Sequence, residues 1–144
     1  MSISVEVLGD VTDEVVEAFG RLLPQLSRSA APLDAAALQT LADAPAVTVL
    51  LARSDGKITG ALTLVTFPIP TGVRAWIEDV VVDESARGQG LGTVLTQEAV
   101  RLAQEAGART VDLTTRPSRE AAGRLYEREG FVQRETRVYR YSFE

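Results

Sequence analysis

The chain has 144 residues, of which 45 % are hydrophobic and 24 % charged, the ordinary balance of a globular domain. It contains no cysteine and no histidine, which excludes disulfides, catalytic thiols, His-dependent triads and metal sites built on Cys or His. The net charge of −5 argues against nonspecific binding to nucleic acid or to a membrane surface. We therefore expect one domain over residues 1–144 with no metal, and, because no signal peptide or membrane-spanning run is evident, a cytoplasmic location.

The first part of the chain predicts one strand and two helices. Residues 2–8 alternate apolar and polar side chains, which is typical of a strand. Asp10 or Thr12 can cap a helix with apolar residues at helical spacing, which Pro24 is expected to end or kink. A second short helix is predicted over residues 33–44.

Strands dominate the middle of the chain. Residues 46–53 and 57–67 flank an Asp-Gly turn and predict a hairpin. The segment 67–74, with two prolines and a glycine, predicts a loop before a long strand over residues 73–83.

The last part predicts two helices and three strands. A helix is expected over residues 90–107 and a short strand over 110–114. The final helix has Ser118 as its predicted N-cap and Gly130 just past its end, and strands are expected at 131–133 and 136–143. The order β-α-α-β-β-β-α-β-α-β-β indicates an α+β (mixed α/β) domain.

A glycine-rich segment joins the long strand to the helix that follows it. The run Arg87-Gly-Gln-Gly-Leu-Gly92 has three glycines in five positions. Such a turn lets several backbone N–H groups point the same way, and the positive end of the helix dipole favours an anion there. Neither a Walker A sequence nor a Gly-x-Gly-x-x-Gly fingerprint is present. In isolation the segment is equally compatible with a tight turn that needs glycine for shape alone.

Two motifs together resemble the GNAT N-acetyltransferase superfamily. The first is Arg87-x-x-Gly90-x-Gly92 after a valine-rich strand, and the second is Ala122-x-x-x-Tyr126-x-x-x-Gly130-Phe131. The element order also matches that family. The resemblance implies its acyl-CoA fold, in which about four helices flank a mixed, mostly antiparallel sheet.

The resemblance also implies where acetyl-CoA binds as cosubstrate. The pantetheine arm is expected to lie along the run Val80, Val81 and Val82. It would pair with the main chain of Val80 and Val82. The pyrophosphate is expected on the loop residues Arg87, Gly88, Gln89, Gly90, Leu91, Gly92 and Thr93. Thr93 can act as a hydroxyl donor or simply as a helix-start residue. Arg119 stands where many members have asparagine, so it is either a CoA contact or a solvated residue of a helix.

Two side chains are candidates for the proton transfers. The run Ile77-Glu-Asp79 resembles the strand of several small-molecule acetyltransferases in which a glutamate at this place contacts the water that removes the proton, and this resemblance makes Glu78 the preferred general base. Asp79 or water are the alternatives, because a strand turns adjacent residues to opposite faces and a bulge would change that phase. Tyr126 matches the tyrosine that protonates the departing thiolate in the family, although its place on an apolar helix stripe is equally typical of core packing.

The predicted function is transfer of acetyl from acetyl-CoA to a primary amine of a small molecule by direct attack. Residues 20–45 and 67–74 are expected to line the acceptor pocket. The alternatives are a protein lysine or N-terminal acetyltransferase and a non-catalytic acyl-CoA-binding module. The acceptor, the choice between acetyl and a longer acyl group, and the choice between monomer and homodimer stay open.

Overall fold

The computed structural model describes residues 2–143, and the two terminal residues of the predicted 1–144 domain lie outside them. Two compact units divide between Thr114 and Thr115. The prediction of a single domain stays a prediction.

The first unit contains five strands and three α-helices. Its elements are β1 (Ile3–Val7), α1 (Asp13–Leu26), α2 (Ala35–Asp43), β2 (Val47–Ser54), β3 (Lys57–Ile69), β4 (Gly72–Val82), a 3-10 turn (Glu84–Ala86), α3 (Leu91–Glu105) and β5 (Thr110–Asp112). The second unit contains α4 (Glu120–Arg128). These elements agree with the predicted α+β (mixed α/β) class and with the expected number of about four helices.

The five strands form one sheet in chain order, β1-β2-β3-β4-β5. The pairs from β1 to β4 are antiparallel and β4–β5 is parallel. Helices α1 and α2 contact one face of the sheet, where Leu22 and Leu38 pack against Leu51 and Ala61. Helix α3 contacts strands β1 to β4, and Leu95 lies so close to Gly60 that an added Cβ would stand 3.3 Å from its Cδ1. Both faces of the sheet are therefore covered within the first unit.

Thr12, one of the two predicted capping residues, is the N-cap of helix α1. The hydroxyl of Thr12 accepts a hydrogen bond from the Val15 N–H at 3.3 Å. Of the two expectations for Pro24, that it ends the helix was wrong, and that it kinks the helix stays a prediction. The Ser27 N–H still reaches the Leu23 carbonyl at 2.9 Å, so the chain stays helical to Leu26.

Three other local predictions were wrong. Residues 67–74 form the tight end of the β3–β4 hairpin, with Phe67 paired to Arg74. Arg119, not Ser118, is the N-cap of α4, because its carbonyl accepts the first helical hydrogen bond, from the Gly123 N–H at 3.1 Å. No strand forms over 131–133 or 136–143 within the described residues. A strand needs a neighbouring strand to pair its backbone N–H and C=O groups, and alternating apolar and polar side chains do not supply one.

Candidate active site

Strand β4 carries a bulge at the predicted catalytic carboxylates. Val81 pairs with Ala61 and Glu78 with Thr63, so three steps along β4 match two steps along β3. Asp79, inside this bulge, has a φ of +50°. The bulge breaks simple alternation, and both Glu78 and Asp79 are exposed.

Glu78 lies directly opposite Thr63 and therefore on the same sheet face. That face is covered by α1 and α2, whose side chains enclose a cavity of about 60 Å³ against the sheet. Asp79 and Thr63 line this cavity, whereas Glu78 does not. Residues between 20 and 45 supply much of the lining, and residues 67–74 supply none.

The outer edge of β4 is unpaired beyond its first half. Strand β5 pairs with β4 only from Arg74 to Trp76. The Asp83 N–H donates to the Thr59 carbonyl of the β3 side at 2.8 Å, so by alternation the main chain of Val82 faces the opposite edge, whereas Val80 lies within the bulge. No described strand pairs with the outer edge at Val80 or Val82, and the backbone groups of Val82 are directed to that side, where a pantetheine arm is expected.

The glycine-rich loop follows a short capped turn. The carboxylate of Asp83 accepts from the Ser85 N–H and hydroxyl, both at 3.1 Å, and these bonds fix the 3-10 turn. Gly88 and Gly90 then have φ values of +80° and +87°, a region that favours glycine. Gly90 is the N-cap of α3, where it supplies no side-chain cap for the first N–H groups of the helix.

The loop fits a pyrophosphate anion on its own geometry. A Cβ added to Gly88 or Gly90 would meet nothing within 4 Å, so the space above both residues is open. The buried Oε1 of Gln89 lacks a hydrogen-bond partner among the described residues, and the same amide carries an Nε2 donor that rotation would present to an anion. The open space and the N–H groups at the start of α3 fit a phosphate, and the Gln89 amide would add a donor once rotated.

Tyr126 and Arg119 belong to the second unit. The Tyr126 ring meets the Phe131 ring edge-on at 5.7 Å between centroids, and the Phe131 N–H donates to the Tyr126 carbonyl at 2.9 Å. Burial raises the pKa of the Tyr126 phenol above its ordinary value, and the charge of Arg119 opposes that shift more weakly. Tyr126 therefore keeps its proton at neutral pH, as a proton donor must. Arg119 is exposed and caps no N–H of α4 with its side chain.

Sequence reasoning missed the residues that tie α1 to the loop. Arg21 of α1 donates to Asp83 and to the Ile58 carbonyl, and Gln25 accepts from the Glu84 N–H at 3.0 Å. The sequence did show Arg21 next to the apolar positions of an amphipathic helix. The same pattern is typical of an arginine at the solvent-exposed edge of a helix, so it did not indicate an ion pair. Thr63, one of three threonines along the otherwise largely apolar strand β3, was a second unused signal.

Other features of the described residues lie apart from these groups. A shallow depression of about 410 Å³ between β1 and α3 contains none of the predicted site residues. No group of three or more acidic side chains within residues 2–143 is arranged to hold a metal ion. None of the helices described is both long and apolar enough to span a bilayer.

Comparisons with known proteins identify relatives of this chain. The family model described as "Acetyltransferase (GNAT) family" matches residues 12–131. An N-alpha-acetyltransferase 30 from Schizosaccharomyces pombe is 39 % identical over 71 residues, which are 49 % of this chain and 47 % of that protein. A rice protein (Oryza sativa subsp. japonica) named "Probable glucosamine 6-phosphate N-acetyltransferase 2" is 43 % identical over 58 residues, which are 40 % of this chain and 33 % of that protein. The chain thus spans less than half the length of these two relatives.

Among solved structures, a Trypanosoma brucei acetyltransferase superposes with a TM-score of 0.78 at 28 % identity. The superposition covers 99 % of this chain and 100 % of that one. The matched family model covers most of the chain, including the bulge, the glycine-rich loop and Tyr126. The chain belongs to the GNAT acetyltransferase family, a family of acyltransferases.

Proposed function

We propose that this protein transfers the acetyl group of acetyl-CoA to a primary amine of a small molecule. The observation that carries the proposal is the course of β4. An unpaired strand edge at Val80 and Val82 runs into a glycine-rich helix start, and a bulge just upstream presents Glu78 and Asp79. Cosubstrate contacts and carboxylates thus lie on one continuous stretch of chain.

The main chain of Val80 and Val82 would hold the pantetheine arm through strand-like hydrogen bonds. The N–H groups of the loop from Arg87 to Thr93 would hold the pyrophosphate at the positive end of α3. When bound, acetyl-CoA supplies an acetyl group as a thioester. Holding an amine beside that thioester contributes ~7–11 kcal/mol through proximity and orientation.

The proton transfers are assigned to Glu78 and Tyr126. Glu78, directly or through water, takes one proton from the acceptor's ammonium group, which frees the nitrogen lone pair. The amine nitrogen attacks the thioester carbonyl, the C–N bond forms and the C–S bond breaks, and the nitrogen loses its second proton to solvent water. The Tyr126 hydroxyl supplies a proton to the departing sulfur and is then reprotonated from solvent. One proton is released overall. The attack by the amine is direct in this proposal, and the sequence has no cysteine on which an acyl-Cys intermediate could form.

One observation favours a second candidate acceptor. The fission-yeast relative is named as an N-alpha-acetyltransferase, so a peptide N-terminus is the alternative to a free small amine. A non-catalytic acyl-CoA-binding module needs neither Glu78 nor Tyr126. The cytoplasmic location and the homodimer stay predictions.

The proposed function is tested by ligand binding and by thiol release. Acetyl-CoA at 100 times its dissociation constant should stabilise the fold by about 2.7 kcal/mol, which a thermal melt detects. Free CoA should then appear when a primary amine is added. The absence of a melting shift in millimolar acetyl-CoA would contradict the proposal, whereas a shift without turnover on small amines or peptides would favour the binding module.

A further inference from the structure

The cavity under α1 and α2 has a buried apolar floor and an exposed rim that includes one carboxylate. Leu22 and Leu38 at its floor are fully buried, while Leu41 and Asp79 are exposed. Ten of the twelve lining residues are aliphatic or aromatic, and Thr63 and Asp79 are the other two. The cavity therefore joins a solvent-accessible carboxylate to a dry hydrocarbon surface.

The bulge fixes the carboxylate at this rim. Asp79 adopts the left-handed φ of +50°, a conformation that aspartate tolerates better than most residues. On a regular strand, either Glu78 or Asp79 would turn away from the helices. With the bulge, Glu78 stays opposite Thr63 while Asp79 borders the cavity that Thr63 also lines.

We infer that the acceptor is a primary amine with a short apolar substituent, whose ammonium group binds Asp79 and whose hydrocarbon part enters the cavity. This inference rests on the proposed function. A volume of about 60 Å³ is far below the roughly 300 Å³ of a pocket for a drug-sized ligand, so only a short branch of the acceptor can enter. Asp79 is a substrate-binding residue here, and Glu78, outside the lining, takes the proton.

The lining disfavours an amino sugar phosphate as acceptor. A phosphate group needs arginine, lysine or clustered N–H donors, and no basic side chain is among the twelve lining residues. Sugar hydroxyls would be buried against leucine side chains without hydrogen-bond partners, which costs binding free energy. A compact alkyl group in the same place has no polar atoms and so carries no such desolvation cost.

The experiment compares acceptors at saturating acetyl-CoA. The probes are isopentylamine, ethanolamine, glucosamine 6-phosphate and a peptide with an N-terminal methionine, each followed by CoA release. We expect kcat/KM for isopentylamine to exceed that for ethanolamine and for the sugar phosphate by at least about tenfold, a range that apolar pockets reach. Preference for the peptide over isopentylamine would overturn the assignment to a small amine, and preference for the sugar phosphate would overturn the apolar cavity.

Asp79→Asn tests the carboxylate, with a control of matched backbone. Asparagine also tolerates the left-handed region, so the bulge should persist. We expect KM for isopentylamine to rise at least about tenfold, with acetyl-CoA KM and the melting temperature unchanged. The control is Asp55→Asn, because Asp55 has a φ of +49° in the β2–β3 turn. Equal amine KM in the two variants would overturn the role of Asp79.

The two proposals fail in different ways. If acetyl-CoA shifts the melt and the sugar phosphate is the best acceptor, acetyl transfer stands and the apolar acceptor falls. If acetyl-CoA produces no shift, the proposed function falls and the inference falls with it.

Discussion

The guanidinium of Arg21 and the carboxylate of Asp83 join the helix over the cavity to the turn that leads into the glycine-rich loop. Arg21 Nη1 lies 2.9 Å from Asp83 Oδ2, with both side chains mostly shielded from solvent. Arg21 Nη2 also donates to the Ile58 carbonyl at 3.1 Å. One ion pair therefore fixes α1 relative to the start of the proposed cosubstrate loop.

The first prediction concerns the pH dependence of stability at Asp83. Hydrogen bonds from Ser85, and then the Arg21 ion pair, hold the pKa of Asp83 below its ordinary value of 3.8. A depressed folded-state pKa contributes stability that is present above the unfolded pKa and is lost as pH falls through the folded pKa. Asp83→Asn should therefore lower the free energy of unfolding at pH 7 and flatten its decline below about pH 4.

Urea unfolding at several pH values between 2.5 and 7 measures this effect. Asp10→Asn, at an exposed position before α1, controls for the loss of one negative charge. If the two variants have the same pH profile, the depressed pKa of Asp83 makes no contribution to stability.

Much of the first unit could be predicted because its signals are local. Alternation marked β1, and Asp55-Gly56 marked the β2–β3 turn. A special backbone conformation could be predicted at Gly88 and Gly90, because positive φ values favour glycine, which adopts them without steric cost.

The rest depended on contacts that no local pattern contains. The bulge at Asp79 is set by how β3 and β4 align, and two adjacent acidic residues fit either phase of a strand. The ion pair of Arg21 with Asp83 joins residues 62 positions apart. The alternating C-terminal segment 136–143 had the pattern of a strand, but a strand also needs a neighbour to accept its hydrogen bonds.

The second prediction concerns Gly90→Val. Gly90 has a φ of +87°, and a valine side chain there would project into the open space above the loop. We expect the acetyl-CoA melting shift to disappear, because the side chain and the altered backbone displace the N–H groups that would hold the pyrophosphate.

A matched glycine separates this effect from simple backbone strain. Gly56, in the β2–β3 turn, has a φ of +85° and the same open surroundings. Gly56→Val should lose comparable stability and retain the acetyl-CoA shift. Retention of the shift by Gly90→Val would place the pyrophosphate elsewhere.

The third prediction concerns Glu78→Gln and the acceptor's proton. A general base typically contributes about 10²–10⁴-fold to the rate. The loss should be largest at low pH, where the amine is most fully protonated, and should shrink as pH rises. Acetyl-CoA KM should change little, because Glu78 precedes the cosubstrate segment of β4.

The measurement is kcat/KM for the amine from pH 6 to 9. Glu84→Gln, at an exposed carboxylate of the 3-10 turn, serves as the control and should match the parent. A rate for Glu78→Gln equal to the parent's at every pH would transfer the base role to Asp79 or to water.

The fourth prediction concerns Tyr126→Phe, which removes a hydroxyl and keeps the ring that meets Phe131 at 5.7 Å. Because burial raises the pKa of Tyr126 above 10, the phenol stays protonated from pH 6 to 9 and its contribution should be constant there. A thiolate is a stable leaving group, so we expect the low end of general-acid assistance, roughly 10–100-fold in turnover. Turnover and melting temperature are measured on the same preparation, with Tyr139→Phe, at an 85 % exposed position, as the control. A loss below about twofold, or a lowered melting temperature that accounts for the loss, would assign Tyr126 to packing against Phe131.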